Sequence, residues 1–390
     1  MSAAAKTAET AEIAATVVAI RHAPSRREEL VALLAEQSPI YRGLSAGEAE
    51  RLRGFILASF EKTGLPPSAL PFVREELQTG INPYTVAAAA KALRRTSEIS
   101  DDIFALLVAA AERIAGNDDN VQYETIDPVD RVTRRTGALT EIIRTIAASG
   151  PRARPLWAAI DAMAARGNVS AEGMMAIDLA RQALSSQPNA PCCCTAEPPP
   201  LVLPAQSPAA RDVSDLALED QSGATFKYRD FLYGRPSVVT FFYTRCMNPE
   251  KCSLTVSKLA ALQRGLAGTE LGSRINVGAF TYDPTYDHAR RLQIYGMERG
   301  FRFDDHNRFI RTVGSFAPLQ AKFDLGVGFG ATTVNRHSVE LLILDAEGEP
   351  VRQFRRVQWD ETEVVAAVRE IARPRSAPEQ ANPQSAIASS

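Results

Sequence analysis

Five cysteines fall into two groups. Cys246 and Cys252 stand six positions apart in VVTFFYTRCMNPEKCSLTVSKL, residues 238–259. An apolar run ends at the first thiol, and a segment with helical spacing follows the second. Two thiolates on such a loop can close a disulfide or clasp a soft metal ion. Arg245 and Lys251 add positive charge, and backbone N–H groups entering a helix favour a thiolate. Pro249 restricts the loop. Cys192, Cys193 and Cys194 are adjacent in SQPNAPCCCTAEPPPLVLPAQ. Neighbouring cysteines seldom pair with each other, because the ring is strained. The run therefore reads as an accessory metal site, as thiols that resolve a disulfide elsewhere, or as an incidental tract.

The rest of the chain must hold these groups in place. Its 390 residues are too many for one ordinary core, so two domains are expected. A hydrophobic content of 45% and a charged content of 23% are those of a globular protein. The formal charge of −2 gives no reason to expect nucleic acid or an anionic membrane as partner. No uncharged stretch reaches the roughly 20 residues of a membrane span. The start, MSAAAKTAETAEIAATVV, has no basic leader, which points to the cytoplasm, where thiols are usually reduced.

Residues 1–26 are Ala-rich and read as a flexible leader. Residues 27–187 have helical periodicity throughout. In AGEAERLRGFILASFEKTG, Ala49, Leu52, Phe55, Ile56 and Phe60 share one face and Gly64 is a stop. Paired helices with Pro in the turns, as in PFVREELQTGINPYTVAAAAKAL, resemble HEAT-like repeats, and a plain bundle is the alternative. Residues 188–212 are a Cys/Pro-rich linker, residues 213–373 form the second domain, and residues 374–390 are a disordered tail. In the second domain PSVVTFFYT, INVGAFTY and SVELLILDA are strand-like, VRQFRRVQW follows as a hairpin partner, and DHARRLQIYGMERG and DETEVVAAVREIA are helical. The order β-α-β-α-β-β-α predicts an α/β, thioredoxin-like fold of parallel strands with one antiparallel hairpin. The whole is thus a multidomain protein, α followed by α/β.

FFYTRC with its second cysteine, TYDPTYD, and HSVELLILDAEGEPV occur in the order of the Sco/SenC family, which this region resembles over roughly residues 214–372. The resemblance implies copper, Cu(I) or Cu(II), held by Cys246, Cys252 and His337. It also implies delivery to a client such as an oxidase subunit, or thiol–disulfide reduction there. Thiolates suit Cu(I), and imidazole with thiolates also holds Cu(II). Two departures stand out: the spacing is C-x5-C where C-x3-C is common, and Arg336 precedes the histidine where an acidic residue is common. Asp283 and Asp287, of the D-P-x-x-D element, read as helix caps, with a place near the metal as the alternative. His22, His288 and His306 read as solvated or capping residues. The Gly-rich GVGFGATT reads as a loop leading to His337 rather than a phosphate cradle.

Three functions follow as expectations. The first is a copper chaperone, with Cys192–Cys194 as accessory ligands and the helical domain recruiting an unidentified protein partner. The second is a thiol–disulfide oxidoreductase in which Cys246 attacks and Cys252 resolves. The third is an interaction scaffold with a vestigial redox site.

Overall fold

A computed structural model describes residues 3–96, 99–126, 136–165, 169–185, 212–356 and 358–372. The Cys192–Cys194 run, the Pro-rich segment up to residue 211 and the tail from residue 373 lie outside the described residues.

The first domain is helical. Its helices are α1 (Ala3–Arg21), α2 (Arg27–Leu34), α3 (Ala46–Thr63), α4 (Leu70–Thr79), α5 (Pro83–Leu93), α6 (Asp101–Ile114), α7 (Ala138–Ala148), α8 (Trp157–Ala165) and α9 (Ala171–Ser185). Two-residue strands β1 (Asn120–Val121) and β2 (Thr136–Gly137) pair ahead of α7. Helices α3, α5, α7 and α9 pack in succession, with α4, α6 and α8 as a second row. α3 shows why the elements begin and end where they do. Ser45 and Glu48 form a reciprocal cap at its start, and Gly64, at φ 81°, ends it. The face expected for it, from Ala49 to Phe60, is buried.

Within the leader expected over residues 1–26, the described residues 3–26 are not loose. α1 buries Val17 and Ile20 completely, and both belong to the core that runs on to Ile177. Arg21 lies 4.1 Å over the Phe55 ring and donates to the Ser59 hydroxyl at 2.9 Å. Alanines between Ile13, Val17 and Ile20 thin the apolar stripe, so its period is hard to see in the sequence.

The second domain has β3 (Ala217–Asp220), β4 (Thr225–Lys227), α10 (Tyr228–Leu232), β5 (Ser237–Phe242), α11 (Leu254–Leu266), α12 (Glu270–Arg274), β6 (Asn276–Thr281), α13 (Ala289–Glu298) and β7 (Asn307–Thr312). It continues with α14 (Ala317–Phe323), β8 (Val327–Phe329), β9 (Val334–His337), β10 (Glu340–Leu344), β11 (Pro350–Arg355) and α15 (Glu361–Ile371). Seven strands form one sheet in the order β11-β10-β5-β6-β7-β3-β4. β5, β6 and β7 are parallel, while β10 and β11 are the expected antiparallel hairpin. β5 and β6 are buried on both faces, as their unbroken apolar runs require.

Two parts of this domain exceed the expected order, the second being a separate two-stranded sheet. β7 and the β3–β4 hairpin widen the main sheet, and their charged residues mask the strand pattern: Arg311 of β7 pairs with Glu219 of β3 at 2.9 and 2.7 Å. GVGFGATT, expected as a loop, contributes β8, which pairs with β9. Its glycines permit close packing on the helical domain. A Cβ at Gly328 would stand 2.5 Å from the Glu36 carbonyl oxygen, and one at Gly330 would stand 2.8 Å from that of Leu44.

The two domains meet through buried charges. Arg53 of α3 is fully buried and lies 3.2 Å from Glu36, 3.6 Å from Glu75 and 2.8 Å from Glu76. The second domain answers with three cations. Arg356 grips both Glu36 oxygens at 2.7 and 2.8 Å and lies 3.0 Å from Glu75. Arg336 lies 2.9 Å from Glu76, and Lys251 lies 2.6 Å from Glu75. Such a network fixes how two surfaces meet more than it adds to net stability, because desolvation offsets much of the attraction. Burial alone would raise the Glu76 carboxyl, but Arg336, Arg53 and Lys251 outweigh it and hold it at about 2. Glu36 is likewise lowered, with Arg356 and Arg53 overcoming its burial. Groups lowered in the folded state stabilise it above their ordinary value of 4.5 and lose that contribution as pH falls. The urea midpoint of the full chain should therefore fall between pH 5 and pH 3. An unchanged midpoint would show that these carboxylates do not secure the interface.

Candidate metal centre

β5 ends at Phe242, and the chain leaves the sheet at Tyr243 and Thr244 to reach Cys246. A π turn, Pro249–Ser253, then carries Cys252 into the core beside Val256 and Leu259, and α11 follows. The Asn248 side chain caps this turn by accepting from the Glu250 N–H at 2.9 Å. Cys246 is half-buried and Cys252 is buried. Met247 between them is 87% exposed, so the loop reaches solvent on one side only.

His337 closes β9, rather than opening β10 as the sequence suggests. Its Nε2 stands 3.4 Å from the Cys246 sulfur and 3.6 Å from the Cys252 sulfur. Nδ1 stands 3.0 Å from the Ser338 carbonyl oxygen. A carbonyl only accepts, so Nδ1 carries a proton, and Nε2 is the ring nitrogen that faces the two sulfurs. One ligand atom from each of the three side chains lies within 4.8 Å of the others, the only such group among the described residues.

The sulfurs differ in charge. Hydrogen bonding from Cys252, then the His337 imidazole, hold Cys246 well below the ordinary thiol range against the effect of burial. Burial, then the Cys246 sulfur, push Cys252 well up. The two sulfurs are thus pushed in opposite directions, the half-buried one toward thiolate and the buried one toward thiol. Two sulfurs and an imidazole nitrogen suit a soft ion such as Cu(I) and leave room for a further ligand.

Surrounding residues hold this geometry. The rings of Tyr243 and Tyr282 lie 5.4 and 5.7 Å from the His337 ring. Asp287 is buried and does not cap α13, whose N-cap is His288, without a side-chain cap. Asp287 instead accepts from the Thr244 N–H at 3.0 Å and the Thr281 hydroxyl at 2.6 Å, tying the ends of β5 and β6 together. Asp283 accepts from Arg245 Nε at 3.1 Å. Both acids of D-P-x-x-D thus fasten the two residues just before Cys246, which overturns the capping expectation. Arg245 also lies 4.1 Å over the Tyr286 ring. Of the other histidines, His306 stands 3.0 Å from the Asn276 side chain, away from the thiols. Arg336 and Lys251 gained no interdomain role from the sequence. The available signal was Arg53 inside an otherwise apolar stretch of α3, a charge that must find partners.

Residues 204–373 match the SCO1/SenC family, a little under half of the chain. No curated protein matches the sequence. Among solved structures, the chain is similar to ScoI of Bradyrhizobium japonicum with copper bound, at 20% identity over 40% of this chain and 96% of that one, with a TM-score of 0.32. It is similar to ScoI of Arabidopsis thaliana with copper bound, at 19% identity over 40% and 95%, with a TM-score of 0.33. It is also similar to yeast Sco1, at 23% identity over 40% and 90%, with a TM-score of 0.31. No helix among the described residues is long and apolar enough to cross a membrane.

Proposed function

We propose that the protein binds copper through Cys246, Cys252 and His337 and passes it to a client copper protein, such as an oxidase subunit. The observation that carries this reading is the convergence of two sulfurs and one imidazole nitrogen within 4.8 Å. The match of residues 204–373 to SCO1/SenC supports it. The alternating rows of helices in the first domain suit a HEAT-like platform that recruits the client. Cys192–Cys194 serve as accessory ligands that pass copper to the main site.

The test is anaerobic titration of the reduced full chain with Cu(I) and Cu(II). Wild type should bind one equivalent tightly, and His337→Ala should weaken it at least about 10-fold, since loss of a ligand costs no less than loss of a group that orients one. Serine at Cys192, Cys193 and Cys194 should remove any further equivalents and leave the first. Absence of tight binding by wild type would end the copper reading.

A second reading, thiol–disulfide exchange, rests on the asymmetry of the pair. The Cys246 thiolate attacks one sulfur of a client disulfide, and the other sulfur leaves as a thiolate. Cys252, losing its proton, then attacks the Cys246 sulfur. The client is released as a dithiol, and a Cys246–Cys252 disulfide remains. Exchange needs both cysteines but not His337 as a ligand, so His337→Ala separates the two readings.

A further inference from the structure

The helical domain touches the metal centre's own scaffold at three points. The first is the middle of the cysteine loop. Arg113 donates to the carbonyls of Leu77, Gln78 and Gly80 at the end of α4, and the Thr79 carbonyl accepts from Asn248 Nδ2 at 2.7 Å. A free helix-end carbonyl of one domain is thus satisfied by the loop of the other. The second point is Lys251, next to Cys252. Its ammonium bridges Glu75 Oε1 of α4, at 2.6 Å, and the His337 carbonyl, at 3.0 Å. One buried cation therefore joins the helical domain, the residue beside one sulfur and the backbone of the imidazole. The third point is β9. Asn335 Nδ2 donates to the carbonyls of Tyr41 and Leu44 at 2.8 and 3.0 Å, and Arg336 pairs with Glu76. Within its own domain, the Glu250 carbonyl of the loop accepts from Gln358 at 2.7 Å.

We propose that Glu75 is a positioning residue for the Cys246/Cys252/His337 centre, acting through Lys251, and that α4 with Asn248 sets the shape of the cysteine loop. This deepens the copper reading and rests on it for the metal. The loop and strand are also held together in the metal-free dithiol, which supplies a readout independent of copper. A salt bridge that merely joined two domains could sit anywhere on their interface. This one ends on the backbone of a ligand.

The experiment uses the full chain with Glu75→Ala, Glu75→Gln, Asn248→Asp and Glu36→Gln. Asn248→Asp keeps the oxygen that caps the π turn but replaces the donor with an acceptor facing the Thr79 carbonyl. Glu36→Gln weakens the same interface without touching the loop or His337. Two quantities are read for each: the dithiol–disulfide equilibrium constant of Cys246 and Cys252 against glutathione, and the Cu(II) electron paramagnetic spectrum with the copper dissociation constant. Glu75→Ala and Asn248→Asp should each shift the equilibrium constant about 10-fold and weaken copper about 10–100-fold, the range for groups that orient metal ligands. Glu75→Gln, which retains an acceptor, should recover most of both, and Glu36→Gln should change neither by more than about 3-fold. The proposal is overturned if Glu75→Ala and Asn248→Asp match Glu36→Gln. Should Glu75→Ala fail to fold, Asn248→Asp against Glu36→Gln decides alone. Should wild type bind no copper, the copper reading fails and the dithiol equilibrium still decides this proposal.

Discussion

Cys246→Ser is expected to end copper binding and dithiol exchange together. Cys246 is the more exposed sulfur and the one held as thiolate. A serine hydroxyl is a harder donor that stays protonated, so it replaces neither the soft ligand nor the nucleophile. Copper affinity should fall at least about 100-fold, beyond the usual cost of losing an orienting group. Labelling of the peptide that carries residues 246–252 by iodoacetamide under native conditions should nearly vanish, because Cys252 is 1% exposed and its thiol is pushed well up. Equilibrium dialysis and mass spectrometry of labelled peptides check both. Copper binding that survives this change would place the ion elsewhere in the chain. The contrast with His337→Ala matters, since that variant should weaken copper while the Cys246 sulfur, still lowered by Cys252, remains open to labelling.

Arg53→Ala should have the largest effect on stability. Its guanidinium is fully buried against Glu36, Glu75 and Glu76 and also donates to the Leu34 carbonyl at 2.6 Å. Removing it leaves Glu36, Glu75 and Glu76, all buried, with only the cations of the second domain to offset them. Breaking one side of a buried ion network costs about 3–5 kcal/mol. For a unit of this size that is a fall in Tm of roughly 6–20 °C. Scanning calorimetry of the full chain measures it. A loss under about 1 kcal/mol would show that the site relaxes or admits water, and that the network does not hold the domains as described.

The cysteine pair of the candidate site was legible because its pattern is local in sequence, whereas His337 entered only through the resemblance to the Sco/SenC family. The apolar run ending at Cys246, the second thiol at Cys252 and the strand near His337 each carry a signal that survives without a partner. The same is true of α3, where cap, face and glycine stop agree. What escaped depends on distant partners. Asp287 reads as a cap next to a helix start, and only the fold brings Thr244 and Thr281 to it. β8 looks like a glycine loop because its glycines answer to Glu36 and Leu44, nearly 300 residues earlier in the chain. α1 passes for a leader because small alanines fill the gaps in its buried face. The charged interface was hidden for the same reason: Glu75 and Glu76 look like ordinary helix surface until Lys251 and Arg336 are set against them.

The interface charges divide unevenly between the two halves of the molecule. Among these seven side chains, one guanidinium stands with three carboxylates on the helical side, and three cations stand on the other. Each half is therefore the other's counterion. Severed at the linker, both would present a patch of like charge to solvent, and their reunion in trans would be fast in dilute salt and slow in concentrated salt. The second domain prepared alone would also carry Lys251 released from Glu75, so its loop would report on a different molecule from the one the full chain builds.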